Sequence, residues 1–258
     1  MRTNTAYNPF SLKGKRIIVT GASSGIGRQC AIDCSRMGAR VIILARNKER
    51  MEKTLADMVG DGHLMASIDL TLLDSLKPKI KEIIDEFGPI DGLVNCAGIS
   101  TTLPFKLMNP DKVNEFFMVN VYSAIELTRL CCGKGIFNKY GGSVIFISSI
   151  MAIAGESGKS LYSMTKGALL SASRSLAVEY ARKNIRFNTI SPGAILTPIN
   201  KDLPHMANLE ARKALEEKHL LGLGETIDIS NACIYLLSDA SRWITGQNLI
   251  VDGGYTVR

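Results

Sequence analysis

Histidine is scarce in this chain, with 3 in 258 residues. The 6 cysteines, Cys30, Cys34, Cys96, Cys131, Cys132 and Cys233, stand without metal-ligand spacing. Cys30 and Cys34 share a helical face, but no histidine is near them in sequence. No metal site is expected, and the thiols read as reduced and mostly buried. No apolar run approaches the ~20 residues that span a bilayer. The start, MRTNTAYNPFSLKGK, lacks the apolar stretch of a signal peptide. These absences point to a cytoplasmic protein without a membrane partner. The net charge of +7 raises the question of nucleic acid. There is no Lys/Arg block and no aromatic interleaving, so no nucleic-acid partner is expected; a phosphate-rich small ligand accounts for part of the excess equally well. Nor does any linker or charge run divide the chain. With 46% hydrophobic and 21% charged residues it reads as one globular domain over 1–258, preceded by a short arm at 1–14.

What is present is a repeated alternation of apolar strand and helix. Strands are expected at 15–20, 40–45, 63–68, 90–94, 143–148, 185–190 and 247–251. Helices are expected from the glycine loop to about Met37, at 72–87, from Pro110 to Cys132, and from Ser160 to about Lys183. Repeated βα units with apolar strands predict an α/β domain built on one parallel sheet covered on both faces. One segment breaks the rhythm. Residues 192–224, with a short helix from Ala207 to His219, form a long excursion after the sixth strand and are expected to bind substrate.

The first strand runs into Gly21-Ala22-Ser23-Ser24-Gly25-Ile26-Gly27 and then a helix. In that context glycines let the backbone approach a pyrophosphate, and the helix N-terminus supplies N–H donors and the positive dipole end. The second strand ends at Ala45-Arg46 and carries no acidic residue there. A carboxylate at that point would accept from a free ribose 2′-hydroxyl, whereas Arg46 suits a 2′-phosphate, so the cofactor expected is NADP(H).

Tyr162 and Lys166 are four apart on a predicted helix and therefore share a face. An ammonium beside a phenol favours phenolate; a shift of ~3 units corresponds to about 4 kcal/mol. Such a tyrosine exchanges a proton with a carbonyl or alcohol oxygen while Ser149 bonds the same oxygen. Taken alone the pair decides nothing, because an exposed i,i+4 contact is the plain alternative.

Taken together, Thr20-Gly21, Gly25, Gly27, Asp69, Asn95-x-Ala97-Gly98, Asn120, Ser149, Tyr162-x-x-x-Lys166 and Pro192-Gly193 with Thr197 resemble the short-chain dehydrogenase/reductase family over nearly the whole chain. The pattern is most similar to the 3-oxoacyl-acyl-carrier-protein reductase branch. The resemblance implies a single-domain Rossmann fold with a seven-stranded parallel sheet. It implies that Asn120, Ser149, Tyr162 and Lys166 are catalytic: Tyr162 as acid/base, Ser149 orienting the substrate oxygen, Lys166 lowering the tyrosine pKa and holding the nicotinamide ribose, Asn120 supporting a relay water. Cofactor contacts are implied for Gly21, Ser23, Ser24, Gly25, Ile26, Gly27, Arg46, Asp69, Leu70, Asn95, Ala97, Gly98, Tyr162, Lys166, Pro192, Gly193, Ile195 and Thr197. The expected reaction interconverts a ketone and a secondary alcohol, on an acyl thioester or on a sugar, steroid or polyol, in a homotetramer. A catalytically silent dinucleotide-binding module is the rival from another class; such proteins tend to lose the tyrosine or lysine. Enoyl reductases place the lysine further from the tyrosine. Cys96 stands where the family usually has a second Asn, and no basic residue sits at Ser23-Ser24, so the NADP(H) expectation rests mainly on Arg46.

Overall fold

The computed structural model describes residues 7–197 and 209–258. The first six residues of the expected arm, the 198–208 part of the expected substrate loop and the predicted helix start at Ala207 lie outside them.

Strands form where branched aliphatic residues run together. β1 (Arg16–Thr20), β2 (Arg40–Ala45), β3 (Leu64–Ser67), β4 (Gly92–Asn95), β5 (Gly142–Ile147), β6 (Ile185–Pro192) and β7 (Asn248–Val251) make one sheet. Its order is β3-β2-β1-β4-β5-β6-β7, and every neighbouring pair is parallel. Alternate residues supply opposite cores: Ile17, Val19, Val41 and Ile43 go to one, Ile18, Ile42 and Leu44 to the other. Because both faces are covered, the strands read as unbroken apolar runs rather than as alternations.

α1 (Gly25–Arg36) and α8 (Thr226–Leu237) pack together over one face, with Cys30 and Cys34 meeting Ile229 and Cys233. α3 (Leu73–Phe87), α5 (Ser123–Cys131) and α6 (Ser160–Tyr180) cover the other through Ile80, Leu127 and Leu169. α4 (Pro110–Phe117) packs against α6, and α7 (Leu209–Glu217) precedes α8 in the chain. Two helices fall outside the expected pattern. α2 (Lys48–Ala56) starts where the Asn47 side chain accepts from the Arg50 N–H. α8 opens with a reciprocal box in which Glu225 and Asp228 each take the other's backbone N–H.

The expected helix from Pro110 to Cys132 is interrupted. Between α4 and α5 lies a π turn, Met118–Tyr122, and it turns Asn120 inward. There Asn120 Oδ1 accepts from Ile99 N–H, while its amide donates to Ile99 O and Thr165 Oγ1. The helix after Ser160 closes earlier than expected, through a 3-10 turn at Ala181–Lys183 and a left-handed Asn184 with φ 59°. After β3 the chain recrosses the sheet and enters β4 on the far side of β1. That reversal opens a crevice at the carboxyl ends of β1 and β4.

Candidate active site

The crevice begins with a stitch. Buried Thr20, at the end of β1, has a hydroxyl that accepts from both Cys96 N–H at 2.9 Å and Ala97 N–H at 3.0 Å. This holds the turn after β4 against the glycine loop after β1. A Cβ on Gly21, which has φ +67°, would lie 3.0 Å from Ala97 Cα, and one on Gly27 would lie 2.6 Å from Gly21 O. The cradle is therefore bare backbone by necessity. α1 opens over it with no side-chain cap and no acidic residue in its first turn. Its leading N–H groups and dipole end are left for an anion.

At the end of β2, Arg46 Nη1 stands 4.0 Å from Asp69 Oδ2, and Ser67 Oγ donates to Arg46 O. Asp69 Oδ1 also accepts from Thr71 N–H and Oγ1–H, and these bonds hold its carboxyl below the usual range, with Arg46 adding to the effect. Arg50, four residues further on, faces the same cavity and brings a second cation to this end.

At the other end the β5 strand delivers Ser149, and the first two turns of α6 deliver Tyr162 and Lys166. Ser148 Oγ donates to Lys166 O, and Lys166 Nζ donates to Ile147 O at 2.9 Å, so strand and helix are clamped at the site. Lys166 Nζ lies 5.6 Å from the Tyr162 ring centre. The electrostatics differ from the expectation. Burial pushes the Tyr162 phenol up to about 12, with the Ser149 hydroxyl offsetting part of the rise. Burial also lowers Lys166 to about 8. Lys166 is itself buried and bonded to a strand carbonyl, and burial favours the neutral form of the phenol.

The third wall is the strip that leaves β6. Gly193 N–H donates to Val251 O, Leu196 N–H to Gly224 O, and Gly224 N–H to Ala194 O. Thr197 closes over the glycine loop: a Cβ on Gly25 would be 3.5 Å from Thr197 Cβ.

These parts enclose a cavity of about 840 Å³. Every residue expected at the site lines it except Asn95 and Asn120. Asn95 is buried beneath the wall, where its amide donates to Thr128 Oγ1, and Asn120 is saturated by Ile99 and Thr165. Both side chains lie one layer behind the cavity wall. The cavity also takes Ile99, Ser100, Glu115 and Val119, which no motif marked. A long cleft with an anion cradle at its middle, cations at one end and a hydroxyl, phenol and amine at the other fits a dinucleotide beside a small substrate.

Comparison with known proteins agrees. A family model described as enoyl-(acyl carrier protein) reductase matches residues 21–256. The L-rhamnose 1-dehydrogenase (NAD(P)(+)) of Sphingomonas sp. strain SKA58 is 33% identical over 250 residues, covering 95% of this chain and 98% of that protein. The human 3-oxoacyl-[acyl-carrier-protein] reductase is 36% identical over 243 residues, covering 92% and 95%. Among solved structures, a gluconate 5-dehydrogenase from Burkholderia cenocepacia J2315 in complex with NADP and tartrate superposes with a TM-score of 0.90 at 28% identity, covering 97% and 98%.

Proposed function

This chain belongs to the short-chain dehydrogenase/reductase family, and from that premise we propose that it interconverts a ketone and a secondary alcohol with NADP(H). The observation carrying this is that Ser149, Tyr162 and Lys166 meet at one end of a cleft whose other end holds Arg46, Arg50 and Asp69. NADP(H) bound there supplies or accepts a hydride at its nicotinamide. Arg46 and Arg50 hold its 2′-phosphate, Asp69 and Leu70 flank its adenine, the bare backbone from Gly21 to Gly27 takes the pyrophosphate, and Ile195 and Thr197 receive the carboxamide. Lys166 bonds the ribose near the reacting end. The Ser149 hydroxyl orients the substrate oxygen, and the Tyr162 hydroxyl delivers a proton to it during reduction or removes one during oxidation. Burial favours the neutral phenol, the form that donates. Asn120 serves by fixing Ile99 and Thr165 at the back of the site. Pro192, Gly193, Ile195 and Thr197 line the strip side of the cleft.

The substrate readings are two, a 3-oxoacyl thioester and a sugar or polyol, one for each kind of relative named above. The description of the matching family model adds enoyl reduction; the three residues between Tyr162 and Lys166 favour carbonyl chemistry. The assembly is proposed to be a homotetramer. α6 exposes Met164 and Val178, a side chain added at Gly167 would meet nothing within 4 Å, and Trp243 is 91% exposed near the β7 end.

The test is a screen of NADPH oxidation with acetoacetyl thioesters, crotonyl thioesters and keto-sugars, and of NADP reduction with L-rhamnose. Turnover of a carbonyl or alcohol substrate that disappears in Tyr162→Phe is expected. Failure of the protein to bind NADPH, or turnover confined to the crotonyl double bond, overturns the proposal.

A further inference from the structure

His219 is 3% exposed, lies just beyond α7 and does not line the cleft, yet it joins three segments there. Ala194 N–H donates to its Nε2 at 3.0 Å. A backbone N–H can only donate, so Nε2 carries the lone pair, the proton sits on Nδ1, and Nδ1–H donates to Leu215 O at 2.8 Å. The ring packs on Tyr255 with centres 5.0 Å apart. On the strip, Gly193 leaves room for it: a Cβ there would be 2.9 Å from Nε2 and 2.9 Å from Asp252 Cα.

Ala194 lies between Gly193 and Ile195, and Gly193, Ile195 and Thr197 all line the cleft. β7 holds one margin of this strip through Gly193 N–H to Val251 O, and Gly224 bonds Ala194 O and Leu196 N–H. The Ala194 N–H is satisfied by His219 alone among the hydrogen bonds of the described residues. We infer that His219 is a positioning residue: by accepting from Ala194 it sets the height of the 193–197 strip, and so the fit of the nicotinamide half of the cofactor. The cofactor part rests on the functional reading above. The imidazole does this without touching either ligand, so its removal should affect one half of the dinucleotide and spare the other. The adenosine half falls to Arg46 and Asp69 across the cleft, which among the described residues bond Ser67 and Thr71 rather than the strip.

The experiment uses the full chain with His219→Ala and His219→Gln, the latter offering an amide oxygen where Nε2 stood. Amide hydrogen exchange over residues 193–197, without cofactor, should quicken about tenfold or more in His219→Ala, where a half-buried donor loses its acceptor, and return to within about threefold of the parent in His219→Gln. The dissociation constant for NADPH should rise about tenfold in His219→Ala, while that for adenosine 2′,5′-bisphosphate, which fills the adenosine end alone, stays within about twofold. His219→Gln should recover most of the loss. Unchanged exchange in His219→Ala, equal weakening of both ligands, or no recovery in His219→Gln overturns the inference. A parent protein that binds no NADPH removes the functional reading and the cofactor half of the inference together; the exchange measurement then still decides whether His219 holds the strip.

Discussion

Thr20→Val tests the stitch between β1 and β4 with almost no change of shape. The side chain is 1% exposed, and valine fills its volume, so the packing term is small. What goes is one oxygen that serves two backbone donors, Cys96 N–H at 2.9 Å and Ala97 N–H at 3.0 Å. Its own bond to Val94 O is long at 3.4 Å and contributes little. A buried donor left without a partner costs about 1–3 kcal/mol. Cys96 and Ala97 are half-buried and edge the cleft, so water reaches part of the deficit and each loss belongs in the lower half of that range. The expected destabilisation is ~2–4 kcal/mol, and for a chain of this size that lowers Tm by ~4–16 °C. Thr20→Ser keeps the acceptor and gives up one buried methyl, a loss of about 1 kcal/mol. Urea unfolding followed by circular dichroism at one protein concentration should rank parent above Ser above Val with a common slope. A Val variant as stable as the parent, or more stable than Ser, refutes the stitch.

Tyr162→Phe keeps the ring and removes the proton carrier, so kcat should fall by ~10² or more while the NADPH dissociation constant moves little; near-normal turnover in steady-state assays counts against the mechanism. Lys166→Met should inactivate the enzyme yet stabilise the cofactor-free protein. The folded value of about 8 lies below the ordinary 10.5, so the unfolded chain binds the extra proton between them; the burial cost is full below pH 8 and fades as pH rises towards 10.5. That cost is at most ~3 kcal/mol, so the stability gap between variant and parent should be widest below pH 8 and close by about 10.5. The buried thiols other than Cys96, which is coupled to Lys166, titrate alike in both proteins and cancel in the difference, and a gap that widens with pH would contradict the assignment. Arg46→Asp should shift the kcat/KM preference from NADPH towards NADH; a parent that already prefers NADH undoes the reasoning from the end of β2. Light scattering at micromolar concentration should give four times the chain mass of 28.0 kDa, and a mass of one chain rules the tetramer out.

The strands were legible because both faces of the sheet are covered, leaving runs such as Ile17-Ile18-Val19 unbroken by polar residues. The glycine loop and the Tyr162–Lys166 pair were legible because their geometry is local. The direction in which an asparagine points is not local. Asn95 and Asn120 face inward because Thr128, Ile99 and Thr165 offer partners there, and those partners lie 21 or more residues away. Burial, which follows from the whole fold, raises the Tyr162 phenol, and a four-residue spacing on a helix gives no sign of it. His219 belongs to no motif and becomes legible only once α7, β6 and the C-terminal turn meet. α8 had a usable signal in Glu225 and Asp228, spaced as a capping box.

The π turn at Met118–Tyr122 amounts to one residue more than regular helix needs. Deleting a single residue there would heal the helix from Pro110 to Cys131, improving every local hydrogen bond. The flanking turns would keep their faces, because the bulge alone takes up the extra residue. Asn120 would lose the local widening that aims it at Ile99 and Thr165 together. The locally better helix would be the globally worse protein, so this stretch should tolerate substitution far more readily than any change in its length.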